Sequence, residues 1–207
     1  LSILAEVAKA GLKKDAVVLV VSNSVDILTY LAADRLDLPP SQVLGLGTQL
    51  DTIRFRSLIA QELKAAPSQV NAVILGEHGD SMVPMTRFTT INGIPIEHFL
   101  SKEKIDKIVK RTREGGAEIL SLRKTASAYD APAAAIASMI DAISRNRRHI
   151  LPAVAVLEGE YGLTDICMGV PCVFGENGME KVIELPLNAQ EAAEFKRSAE
   201  TVRADLA

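Results

Sequence analysis

The chain has 207 residues, 48% of them hydrophobic, enough to bury one large core or two small ones. Its 23 basic and 26 acidic residues leave a net charge of -3, which gives no electrostatic footprint for nucleic acid or an anionic membrane, partners that demand clustered positive charge. No apolar run approaches the roughly 20 residues of a membrane-spanning helix, and no charged-then-apolar leader is seen, so small molecules and other subunits are the expected partners and the cytoplasm the expected compartment.

Helix periodicity begins at once, with Leu1, Leu4, Ala5, Ala8 and Leu12 on one face and Gly11 near the stop. A domain rarely opens within an element, so further chain is expected before residue 1. Residues 15–21, "DAVVLVV", form a continuous apolar, β-branched run, the pattern of a strand buried on both faces of a parallel sheet. The loop "SNSVD" and the helical "DILTYLAADRL" follow. Ligands of open α/β sheets gather at the carboxyl ends of such strands, which puts Ser22 and Asn23 where one could be met. Gly45 and Gly47 suggest a turn before a helix over Leu50 to Leu63, and Val70 to Leu75 reads as another strand.

The loop after that strand, "GEHGDS", carries His78 between two glycines and two acids. Asn92-Gly93 has hairpin chemistry. Residues 101–124 are helical with an interruption expected at Gly115-Gly116, and Pro132 is expected to start an alanine-rich helix. The last third turns to strands, "AVAVLEGEY", "DICMGVPCVFG" and "MEKVIELPL", with a hairpin turn at Asn177-Gly178. Asn188 and Glu191 have capping-box spacing for a final amphipathic helix. The fold class is therefore α/β: the rear part of a Rossmann-type domain over residues 1–46, then an α+β domain with an antiparallel sheet over 47–207.

Chemistry concentrates in two places. In "LDTIRFR", Asp51 and Arg54 share one helical face, which alone is the spacing of a weak surface ion pair. Their apolar neighbours Leu50, Ile53 and Phe55 favour a charged face turned into a pocket. An arginine there suits a planar carboxylate, because its fork makes two parallel charge-assisted bonds. A carboxylate beside a histidine selects which ring nitrogen carries the proton and stabilises the imidazolium. Asp51, Arg54 and His78 together would make a base, its orienter and an anchor for an anionic substrate. Alone, His78 could also be a turn histidine. A His-x-Asp without a second ligand is a poor metal signal, and neither His98 nor His149 has a comparable setting, so no metal is expected. Cys167 and Cys172 read as small core residues.

In order and spacing, "VVSNSVDILTYLA", "GLGTQLDTIRFR", "ILGEHGDSMVP" and "ASAYDAPAAAI" resemble the NAD-dependent 2-hydroxy acid dehydrogenases of the lactate and malate dehydrogenase family. Within it the likeness is strongest to malate dehydrogenases of the lactate-dehydrogenase-like type, judged in part from Ala128 and Pro132. The resemblance implies His78 as the proton acceptor, Asp51 as its acid partner and Arg54 as the holder of the substrate carboxylate. It implies Asn23 as a contact to both substrate and cofactor, and the Val21 backbone as part of the nicotinamide ribose site. NAD as cofactor, a 2-hydroxy or 2-oxo acid with one or two carboxylates as substrate, and a homodimer or homotetramer are implied likewise. L-lactate oxidation and a non-catalytic assembly role are the alternatives.

Two departures stand out. The family pattern has proline after the asparagine, commonly with a cis bond, where this chain has Ser24. A cis bond costs about 2.5 to 4 kcal/mol before a residue other than proline and about 0.5 to 1 before proline, so a trans bond is expected. No GxGxxG follows a strand, and the 207 residues alone are expected to bind NAD poorly.

Overall fold

The computed structural model describes residues 2–124 and 129–206. Helix α1 (Ser2–Ala10) lies on the surface with no buried residue; Leu4 and Val7 rest on a small cluster of Ala32, Leu36, Leu38 and Val43. The β-branched run becomes β1 (Val18–Val20), followed by α2 (Val25–Arg35) and then β2 (Val43–Gly45), which pairs with β1 in parallel. This is the expected β–α–β unit. In this chain β1 is half-buried, with β2 as its one strand neighbour among the described residues.

The chain turns directly from β2 into α3 (Gly47–Leu63), so Gly45 and Gly47 form no separate turn. Gly47 is required for space: a Cβ there would lie 2.7 Å from Val154 Cγ2 and 3.1 Å from His78 Cβ. Gly47 to Thr52 are all buried, so α3 has no clean polar stripe at its start, while Phe55 and Ile59 anchor its later turns to Val70, Ile74 and Ile96.

The single strand expected over Val70 to Leu75 is two short ones, β3 (Val70–Asn71) and β4 (Ile74–Leu75), because they join different partners. β5 (Val83–Pro84) pairs with β4. β6 (Thr90–Ile91) pairs with β3 and, through the Asn92-Gly93 turn, with β7 (Ile94–Pro95). Both turn residues have positive φ, 49° and 83°, as such a hairpin requires. α4 (Lys102–Arg123) runs through Gly115-Gly116 without a break, which corrects the expected interruption. α5 (Asp130–Ser144) starts two residues before Pro132, leaving the proline in the first turn, where no intrahelical N–H is needed.

β8 (Ile150–Glu158), β9 (Thr164–Gly175) and β10 (Gly178–Val182) form the expected antiparallel meander. It does not stand apart: the order β1-β2-β8-β9-β10 makes one mixed sheet, joined where Gly45 lies opposite Val154. Cys167 and Cys172 are buried and unbridged within β9, their thiols pushed up by burial. α6 (Ala189–Leu206) opens with the expected capping box: the Glu191 N–H donates to Asn188 Oδ1 at 2.9 Å, and the Asn188 N–H to Glu191 Oε2 at 2.8 Å. Among the described residues no helix is long and apolar enough to cross a membrane.

Candidate active site

Three segments converge on a cleft of about 380 Å³: the carboxyl end of β1, the first turns of α3 and the loop after β4. Val21, Asn23, Leu50, Arg54 and His78 line it, with Gly116 and Leu120 of α4 and Pro132 of α5 opposite. The buried start of α3 makes this possible, since it carries Asp51, fully buried, between two partners. His78 Nδ1 stands 2.6 Å from Asp51 Oδ2, and Arg54 Nη1 donates to Asp51 Oδ1 at 3.3 Å. The His78 and Arg54 side chains keep 18% and 16% of their surface exposed, so each reaches the cleft from a buried carboxylate. The i, i+3 pair is thus an interior one, and the surface ion pair considered from spacing alone does not describe it.

In the neutral ring an Nδ1–H donating to Asp51 leaves Nε2 with its lone pair, the arrangement of a general base. Burial opposes the imidazolium, but the hydrogen bond and charge of Asp51, joined by the charge of Asp26, outweigh it. The pKa of His78 therefore lies above the ordinary histidine value, with Arg54 working the other way.

The His78 loop is held at consecutive residues. Gly76 and Gly169 exchange backbone hydrogen bonds of 2.9 Å, and Gly76 has the positive φ of 93° that this approach needs. The Glu77 N–H donates to Ser198 Oγ of α6 at 2.8 Å, and the His78 N–H donates to Asp26 Oδ2 at 3.0 Å. Asp26 is buried, and burial is the largest effect pushing its carboxyl up to about 6, with the His78 N–H pulling it down.

Asn23 and Val21 line the same cleft as His78 and Arg54, and Asp51 lies buried behind those two as their shared partner, so the five residues singled out from the sequence come together. The Asn23–Ser24 bond is cis, which corrects the trans expectation. That expectation weighed only the local preference of the peptide. The folded chain fixes both flanks: Val20 O accepts the Leu46 N–H and Ser24 O accepts the Leu28 N–H, both at 2.9 Å. Ala128, part of the resemblance to malate dehydrogenases, lies outside the described residues. Asp26 and the close fit of Gly115 were missed. An acid at the start of a helix looks like any other favourable first-turn residue, and a Gly-Gly pair within a helix reads as a break where Gly115 is in fact room for Arg54.

The model of the lactate/malate dehydrogenase α/β C-terminal domain matches residues 48–207. The malate dehydrogenase of Thioalkalivibrio sulfidiphilus is 57% identical over 192 residues, which are 93% of this chain and 62% of that protein. The malate dehydrogenase of Roseiflexus castenholzii is 50% identical over 198 residues, 96% of this chain and 64% of that protein. Among solved structures, the malate dehydrogenase from Aeropyrum pernix superposes with a TM-score of 0.94 at 36% identity, covering 99% of this chain and 67% of that one. This chain therefore spans a little under two thirds of the length of those first two relatives. With a family model over most of its length and an Asp–His–Arg cleft at the end of a β–α–β unit, the chain belongs to the lactate/malate dehydrogenase family.

Proposed function

We propose that the full protein is an NAD-dependent malate dehydrogenase, which interconverts (S)-malate and oxaloacetate. The observation that carries this reading is the buried carboxylate of Asp51, shared between His78 and Arg54, which both face one cleft. In the oxidative direction His78 Nε2 accepts the substrate hydroxyl proton while the hydride leaves the same carbon, and Asp51 stabilises the imidazolium that forms. In reduction the same ring returns the proton to the oxygen. Arg54 grips the carboxylate next to the reacting carbon, which sets the hydroxyl against His78.

NAD, when bound, supplies the hydride acceptor. The cleft wall suits its nicotinamide end, because Val21 is 41% exposed directly after β1 and Asn23 lines the cleft beside it. Those two residues would hold it, Asn23 reaching substrate as well. Malate over lactate is supported by the relatives named malate dehydrogenase. The full protein is a homodimer or homotetramer of the cytoplasm; the oligomer is supported by the exposed Leu122 on α4 and Ile140 on α5. A boundary near Leu46 divides the dinucleotide-binding part from the substrate part, supported by the family model, whose match to the C-terminal domain begins at residue 48.

The test is NADH oxidation by the full-length protein with oxaloacetate and pyruvate side by side. Oxaloacetate is expected to be turned over and pyruvate only weakly. A preference for pyruvate would make the protein a lactate dehydrogenase. No turnover of either, with wild type indistinguishable from His78→Ala, would favour a non-catalytic assembly role.

Gly115 gives a second expectation. A Cβ there would lie 2.5 Å from Arg54 Cδ and 2.8 Å from Nε, so α4 needs glycine to let the arginine lie along it. Gly115→Ala is expected to raise the KM for oxaloacetate about tenfold or more by displacing the guanidinium, with a much smaller change in kcat. Steady-state kinetics separate the two parameters.

A further inference from the structure

The His78 loop meets a second carboxylate that the proposed proton relay does not use. Asp26, in the first turn of α2, is only 1% exposed. Its Oδ2 accepts the His78 backbone N–H at 3.0 Å, while its buried Oδ1 accepts no hydrogen bond from the described residues. The titratable groups facing it are His78 and Glu77 on the loop and Cys167 on β9, with Asp51 and Arg54 on the far side of the His78 interaction.

A buried carboxylate with one oxygen unmet is an expensive way to accept one backbone N–H. Asparagine has nearly the same shape and offers the same acceptor without the cost of burying a charge. What asparagine lacks is that charge, which acts on His78 in the same sense as the charge of Asp51.

We propose that Asp26 is a positioning residue for His78, fixing the loop through its backbone N–H while its negative charge favours the protonated ring. The inference rests on His78 as the proton acceptor. Two roles are combined, and two variants separate them. Asp26→Asn keeps an acceptor and removes the charge, whereas Asp26→Ala removes both. Because Asp26 titrates near 6, its charge is in place at neutral pH and fades below that value.

The experiment uses the full-length protein without substrate. Nitrogen-edited NMR follows the titration of the His78 ring, assigned as the signal lost in His78→Gln, and hydrogen exchange follows its backbone amide. In Asp26→Asn the ring is expected to titrate at lower pH than in wild type, with amide exchange nearly unchanged. In Asp26→Ala the ring is expected to titrate lower again than in wild type, and the amide to exchange about tenfold faster. An unchanged ring titration in Asp26→Asn overturns the electrostatic role, and unchanged exchange in Asp26→Ala overturns the clamp. If the alanine variant does not fold, the nearly isosteric asparagine variant still decides the charge. Both readouts are independent of turnover, so a protein inactive on 2-oxo acids would overturn the assignment of His78 as proton acceptor without touching these measurements.

Discussion

Replacing His78 with glutamine is expected to lower kcat for malate oxidation by about 10²- to 10⁴-fold, the usual contribution of a placed general base, while the thermal unfolding midpoint stays close to wild type. Glutamine can still meet Asp51 through its amide N–H, so the loop keeps a partner for the buried carboxylate, but no group is left to take the hydroxyl proton. The pH dependence has a sign. Oxidation needs the neutral ring, so its kcat/KM rises as pH rises through the pKa of His78. Reduction needs the imidazolium, so its rate falls over the same interval. Asp51 is the main group holding that pKa above the ordinary histidine value against the desolvation that burial imposes. Asp51→Asn is therefore expected to move both profiles to lower pH, in addition to lowering kcat. Initial rates in both directions between pH 5 and 9, on wild type and both variants, check this. A His78→Gln enzyme with wild-type kcat would end the assignment.

Replacing Arg54 with lysine is expected to cost about 10²- to 10³-fold in kcat/KM for oxaloacetate, the equivalent of roughly 3 to 4 kcal/mol. The positive charge survives, but the planar fork does not, and with it go the paired bonds to a carboxylate and the geometry that sets the substrate against His78. The donor at 3.3 Å from Asp51 Oδ1 is disturbed too, which leaves the buried carboxylate resting chiefly on His78. The effect is expected mainly in KM, since the proton acceptor is untouched, and an amide analogue of the substrate should lose little between wild type and Arg54→Lys. Equal losses for the acid and its amide would show that Arg54 acts through Asp51 and not by holding a carboxylate.

Much of this was readable from residue order. The β-branched run to Val20, the Asn92-Gly93 turn and the reciprocal Asn188–Glu191 cap are local, so short-range chemistry specifies them. The "LDTIRFR" and "GEHGDS" motifs named Asp51, Arg54 and His78, because acid, base and guanidinium functions each admit few residue types. The break expected at Gly115-Gly116 and the turn expected at Gly45 and Gly47 both treated glycine as a source of freedom. At Gly47 and Gly115 it is instead a source of space, for Val154 and for Arg54, neighbours far away in sequence.

What the sequence determined by itself was the set of chemical groups, the order of the elements and the family pattern that joins them. The tertiary structure decided what those groups face. It buried Asp51 so that one carboxylate serves two partners, merged the antiparallel meander with the parallel pair in one sheet, and brought Asp26 beneath the His78 backbone from 52 residues away. Each of these depends on long-range packing and on the removal of water from particular atoms. Such terms have no counterpart in local propensity or periodicity.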